Sequence, residues 1–306
     1  MSSRTATALP LVPAGMFVLV WSSGYISGPA AVHAAAPFTV LGWRFALAAV
    51  LAAGLALAQR RPTRMDRATL GRVAAVGFVM NAVQFGLMYV AFDLGLGATL
   101  ASLFHALSPV LTALLAAGLL GERVSPLQVA GFVAGVVGVL LVLGADLDHA
   151  GGAVAVVVGC LSMLTLSLGT LGQRWIGAQP DLLWSAAAQF AVSAPPLLVL
   201  GWTTEGAWPV TDTRQALVAV AFIAIVNSIV GLVLLSHLVL RGGSGAAASL
   251  FFLSPPVTAV LAWLVLGETL SGLQLVGLVV AVVGVGAATR IRRAPAPTPY
   301  PGVGTQ

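Results

Sequence analysis

The chain is predicted to be an all-α integral membrane protein whose ten transmembrane helices form two inverted five-helix repeats. Composition gives the first reason: of 306 residues, 59% are hydrophobic and only 8% charged, with a mean hydropathy of +1.02, which leaves too little polar surface for a soluble domain. Internal repetition gives the second. The segment Ala101–Val139 reappears without a gap at Ala247–Val285, about half of its positions identical at a constant offset of 146. Asn81 falls on Asn227 at the same offset, which carries the register upstream and makes the chain a duplicated unit. Two related apolar halves imply a transporter built around a central site.

A spanning helix needs about 20 apolar residues and must satisfy its own backbone in lipid. Ten such runs stand between breakers. Helix one lies near 11–32; Arg4 before it and Ala34 to Ala36 after it also suit a signal peptide. Its apolar run is too long for a signal core, however, and its removal would leave unequal halves. Helix two (38–58) follows Pro37, and helix three (70–92) ends at Asp93. Helix four (97–119) stops before Gly121, helix five (126–144) starts at Pro126, and helix six (151–172) ends before Arg174. In the second half, helices seven (182–201), eight (214–238), nine (244–266) and ten (271–289) complete the set.

Arginine bias gives the third reason and the orientation. The loop after helix two carries Arg60, Arg61, Arg64, Arg67 and Arg72, and the tail carries Arg290, Arg292 and Arg293. The opposite loops carry Asp93, Asp146, Asp148, Glu205, Asp212 and Glu268, with Arg214 as their only arginine. Both termini are therefore cytoplasmic, and an odd number of helices per half turns the second half upside down. The division expected is 1–148, 149–290 and a disordered Pro-rich cytoplasmic tail over 291–306. The net charge of +5 rests on arginines at helix ends, so it reports topology and not a nucleic-acid partner. The single Cys160 excludes an internal disulfide.

The endings SPVLTALLAAGLLGERVSPLQVAGFVAGVVGV and SPPVTAVLAWLVLGETLSGLQLVGLVVAVVGV, with their shared Ser-Pro, Gly-Glu, Ser and Gln-x-x-Gly pattern, resemble the EamA-type branch of the drug/metabolite transporter superfamily. The resemblance covers nearly the whole chain and is greatest to bacterial exporters of aromatic amino acids and methionine. It implies a cytoplasmic (inner) membrane exporter with a central cavity lined by helices one, three, four, six, eight and nine.

The shared motifs also have a physical reading. Pro109, and Pro255 with Pro256, interrupt helices four and nine; each site is either a hinge or a fixed kink. Glu122 and Glu268 follow glycines and precede Ser125 and Ser271, and they read as residues that help cap helices five and ten. Gly131, Gly135 and Gly138 match Gly277, Ala281 and Gly284, a small-residue face for contact between the halves or between protomers. The oligomeric state is left open and is compatible with a monomer.

Candidate substrate-binding residues are the polar and aromatic groups inside the spans. Helix three presents Asn81, Gln84 and Met88, with Phe85 and Tyr89 alongside. Helix four presents Ser102, His105, Ser108 and Thr112 on one stripe. Helix one adds Trp21, Ser22 and Tyr25, helix eight adds Asn227, and helix nine adds Ser254 and Thr258. Each polar group alternatively makes an interhelical hydrogen bond. His105 either contacts solute or carries a proton, or is a satisfied structural donor; His237 lies near the end of helix eight. Arg44 either binds a carboxylate or, as its long stem favours, snorkels to the interface.

No Asp or Glu lies deep in a span, so gradient-driven facilitated transport by alternating access is the simplest mechanism. The chain contains no lysine and hence no P-loop. It also lacks a nucleophile elbow and a clustered metal-ligand set, so no cofactor, no metal and no enzyme activity are expected. Neutral or aromatic amino acids are the leading solutes, with a broader drug or solute exporter, proton-coupled or not, as the alternative.

Overall fold

The computed structural model describes residues 10–63, 65–144, 150–176, 180–206 and 210–289. Arg4, Arg64, Asp146, Asp148, Arg290, Arg292, Arg293 and the tail over 291–306, on which part of the topology reading rests, lie outside the described residues.

The protein is an all-α membrane protein, with ten apolar helices among the described residues. They are α1 (Leu11–Ala34), α2 (Pro37–Ala58), α3 (Arg67–Asp93), α4 (Ala98–Leu120), α5 (Pro126–Leu143), α6 (Gly152–Ile176), α7 (Leu182–Thr204), α8 (Thr213–Arg241), α9 (Leu250–Leu266) and α10 (Gly272–Thr289). The first eight are each long and apolar enough to cross a bilayer. Their outward surface stays apolar, with Leu140, Val199 and Val283 all exposed, and Trp175, Trp202 and Trp263 stand exposed toward helix ends, the places amphipathic rings occupy in an aromatic belt.

One boundary departs from the sequence reading. Helix nine was expected from 244, but the backbone stays helical through Ser249 and α9 opens with a 3₁₀ turn, Leu250–Leu253. The prolines explain the shift. Pro255 and Pro256 have no amide proton to give, so they sit in the first turn of the α segment that starts at Ser254, where amides lack intrahelical partners. They begin that segment instead of interrupting it.

The duplication is visible in the caps. Asp66 accepts from the Thr69 amide at the start of α3 and Asp212 from the Gln215 amide at the start of α8, 146 residues apart. The Thr69 hydrogen bonds hold the Asp66 carboxyl below its usual range. Gly121 and Gly267 close α4 and α9 in the left-handed conformation, at φ 69° and 72°. Ser125 with Gln128, and Ser271 with Gln274, exchange reciprocal side-chain bonds at the starts of α5 and α10. Those pairs do the capping expected of Glu122 and Glu268, because a Ser/Gln pair three residues apart satisfies both orphan amides by itself.

Repeat-equivalent helices pack antiparallel, which is the geometry of inversion. On α5 and α10, a Cβ at Gly138 would stand 2.5 Å from the Gly277 carbonyl, and one at Gly284 would stand 2.6 Å from Ala134 Cβ and 3.3 Å from the Gly131 carbonyl. Position numbers rise on one helix as they fall on the other. The small-residue face therefore joins the two halves, and the backbones meet too closely for any side chain at Gly138. Helices α2 and α7 do the same: Gly42 meets Leu198, and Phe45 stacks on Phe190 at 5.6 Å.

Inversion gives a direct labelling test. Arg67 and Thr213 are repeat equivalents at the first positions of α3 and α8. In a Cys160→Ser background, Arg67→Cys is expected to react with an impermeant maleimide from the cytoplasmic side and Thr213→Cys from the opposite side. Labelling of both from one side contradicts the inverted arrangement.

Candidate functional site

The two longest irregularities among the described helices sit at equivalent places. π-helical turns run over Phe78–Val83 in α3 and Ile223–Val230 in α8. A π turn widens the helix and misaligns its carbonyls, and side chains take up the difference. In α3 the Gly77 carbonyl accepts from Asn81 Nδ2 at 3.1 Å and from Ser193 Oγ at 3.2 Å. In α8 Ser228 Oγ donates to the Ile223 carbonyl, five residues back, at 3.2 Å.

Just beyond the first π turn, four helices meet in a polar network. Tyr25 of α1 has its Oη 2.9 Å from His105 Nδ1 on α4. Gln84 of α3 has its Nε2 3.1 Å from His105 Nε2 and donates to Ser162 Oγ on α6 at 3.1 Å. Ser162 Oγ lies 3.2 Å from His105 Nε2 and donates its only proton to the Gln84 carbonyl at 2.9 Å. In the tautomer in which His105 Nε2 accepts from the Gln84 amide nitrogen, a donor only, Nδ1 carries the proton and donates it to Tyr25 Oη. All four groups are neutral in this arrangement, and it leaves the Tyr25 hydroxyl proton available to a further acceptor.

The remaining candidates fall into three places. On the His105 helix, Ser108 Oγ pairs with Ser167 Oγ of α6 at 3.0 Å, while Thr112 and Ser102 bond back to the Ser108 and Thr99 carbonyls. Pro109 lies inside α4, whose backbone stays helical across it. Between α1 and α9, Ser22 Oγ meets Ser254 Oγ at 3.1 Å, and Trp21 stands edge-on to Phe251 at 4.7 Å. Asn227 donates to the Val20 carbonyl at 2.6 Å and ties α8 to α1; its Oδ1 and the Thr258 hydroxyl are buried without partners. Met88 is a core residue. A side-chain hydrogen bond links Trp21 to Tyr25; among the described residues, none joins Ser22, Asn227, Ser254 or Thr258 to the His105 network.

Arg44 corrects the sequence reading. It does not snorkel; it is 5% exposed, because Phe85 at 4.4 Å and Phe45 at 5.0 Å flank its guanidinium and Ser228 and Tyr89 accept its protons. Phe85 and Tyr89 therefore belong to the Arg44 environment. Ser162 and Ser167 were missed, although the test applied to helix three, polar residues in an apolar run, also selects them.

One end of the bundle is tied by two carboxylates. The first positions of α2 and α4 have no cap of their own. Glu205 supplies one to α2, accepting from the Phe38 and Thr39 amides at 2.7 and 2.9 Å. Glu268 supplies one to α4, accepting from Ala98 N at 2.7 Å and Thr99 Oγ1 at 3.0 Å. Each carboxylate comes from the opposite half and neutralises a helix N-terminus. Glu122, the equivalent of Glu268, pairs with Arg174 at the other end of the bundle. A separate lateral pocket, lined by Phe38, Phe78, Gly86, Pro196 and Leu200, is almost wholly apolar and offers nothing to orient a polar solute.

Comparison with known proteins agrees with this architecture. A model of the EamA-like transporter family matches residues 12–144 and, a second time, 153–290. An uncharacterized transporter, YvbV, of Bacillus subtilis (strain 168) is 26% identical over 285 residues, covering 92% of this chain and 91% of its own. A probable amino-acid metabolite efflux pump of Salmonella typhimurium (strain LT2) is 24% identical, covering 88% and 91%. A probable terminal-alkyne amino-acid exporter of Streptantibioticus cattleyicolor is 29% identical, covering 88% and 89%. One solved crystal structure superposes with a TM-score of 0.64 at 20% identity, covering 91% of this chain and 95% of the other, a likeness of fold.

Proposed function

Because the chain belongs to the EamA-like transporter family, we propose that it exports small amino acid-like solutes, neutral or aromatic, across the cytoplasmic (inner) membrane. Transport is facilitated and works by alternating access, with both termini cytoplasmic. The solute's polar end sits at the network of Tyr25, Gln84, His105 and Ser162.

One observation carries this reading: four neutral hydrogen-bonding groups from α1, α3, α4 and α6 converge on one point within the spans. Neutral donors and acceptors suit a zwitterion, which brings both of its own charges. An organic cation calls for a buried carboxylate, and the described acidic residues stand at helix ends or in the connections beside them. Relatives named as an amino-acid metabolite efflux pump and an amino-acid exporter support the solute class. Pro109 inside α4, and the 3₁₀-to-α junction at Pro255–Pro256 in α9, are the places where we take the helices to bend during alternate opening.

Purified protein in liposomes loaded with a panel of labelled amino acids tests the assignment. Efflux of phenylalanine, leucine or methionine well above protein-free liposomes is expected, with arginine and aspartate retained. Retention of the whole panel rejects the solute class.

A further inference from the structure

Arg44 is a buried cation in a membrane interior, with no anion beside it among the described residues. Its Nε donates to Ser228 Oγ at 3.2 Å and one terminal nitrogen to Tyr89 Oη at 3.4 Å. Both acceptors are neutral, and among the described residues no carboxylate pairs with it. A guanidinium has five N–H donors, so most of its edge is unused. The faces of Phe85 and Phe45 favour the charge by cation–π attraction but accept none of the in-plane protons. An arginine without a counter-charge at this depth is costly, the circumstance in which an intramembrane ionisable residue points to a functional site.

The surroundings also fix its aim. Ser228 gives its proton to the Ile223 carbonyl across the π turn, so a lone pair faces Arg44 Nε. The Phe85 and Phe45 rings, inclined at 67° to each other, border the guanidinium at 4.4 and 5.0 Å. What is left is a preoriented pair of donors beside aromatic surface, the complement of a carboxylate next to an apolar group.

We propose that Arg44 is a carboxylate-binding residue on the path of the transported solute, a station separate from the network of Tyr25, Gln84, His105 and Ser162, with Phe45 and Phe85 beside the solute's apolar part. This rests on the transport reading above. The guanidinium is enclosed in this conformation, so admission requires α3 and α8 to part. Each carries a π turn, the kind of local irregularity at which a helix yields.

The test uses the full-length protein in detergent and four probes: 3-phenylpropionate, its uncharged analogue 3-phenylpropanamide, L-phenylalanine and sodium chloride. Wild-type protein is expected to bind 3-phenylpropionate about tenfold or more tighter than the amide, a charge-assisted bidentate contact being lost in the second. Arg44→Gln is expected to erase that preference, and Arg44→Lys to keep only part of it, because an ammonium lacks the fork. Equal wild-type affinity for acid and amide overturns the proposal, as does an absence of 3-phenylpropionate binding at millimolar concentration. Thermal protection by chloride equal to that by 3-phenylpropionate, at the same concentration, assigns the site to an inorganic anion and overturns it too. If Arg44→Gln does not fold, the wild-type acid-against-amide comparison still decides. A carboxylate preference in a protein that moves no amino acid refutes the transport reading and leaves Arg44 as an anion site. Amino-acid flux without that preference refutes Arg44 alone.

Discussion

Gln84→Ala is expected to reduce amino-acid flux by about tenfold or more while the protein remains folded, since removing one partner from a buried polar site costs roughly 1–3 kcal/mol at the groups left behind. Gln84 makes two contacts at once, to His105 Nε2 and to Ser162 Oγ. Its loss leaves His105 Nε2 and Ser162 Oγ without their amide donor. His105→Ala removes the hub itself and is expected to be at least as severe. Asn81→Ala is the contrasting variant. Asn81 bonds to the Gly77 carbonyl in its own helix, and Ser193 bonds to the same carbonyl. The expected result there is a modest loss of thermal stability with a smaller change in flux. Full activity in both Gln84→Ala and His105→Ala removes the network from the solute site.

Glu268→Ala is expected to loosen the outer end of the bundle. The carboxylate holds α4 to the second half through Ala98 N and Thr99 Oγ1, and hydrogen bonds to a charged group contribute about 1.5–3 kcal/mol each when well formed. Losing them shifts a closed-to-open equilibrium by about tenfold or more. Ser102, one turn further in and 1% exposed, reports the change. A Ser102→Cys reporter, in a background lacking Cys160, is expected to react with an impermeant maleimide from the outer side at least several times faster when Glu268 is alanine. An unchanged rate reduces Glu268 to a helix cap with no part in access.

The ten helices were legible because lipid imposes length and apolarity on every one, and the internal repeat fixed their register. Caps were partly legible. Ser125 with Gln128 declares itself through local spacing, whereas the trans caps from Glu205 and Glu268 depend on which helix start lies opposite, and chain order does not reveal that. Arg44 shows the same limit. A long basic side chain two turns into a helix suits snorkelling unless α3 and α8 close over it, and that closure is a tertiary fact. Gln84 and His105 were selected because a polar group is conspicuous in an apolar run. Ser162 is less so, since a hydroxyl can satisfy itself on its own helix, as Thr165 and Thr170 do.

Proteoliposomes carrying labelled L-phenylalanine, with and without an imposed pH difference, test the central claim of neutral-network facilitated transport. Downhill flux is expected without a proton gradient or nucleotide, and no accumulation against the phenylalanine gradient is expected when the pH difference is applied. Uphill accumulation driven by the pH difference, lost in His105→Gln while downhill flux survives, contradicts the facilitator mechanism and makes His105 a proton carrier.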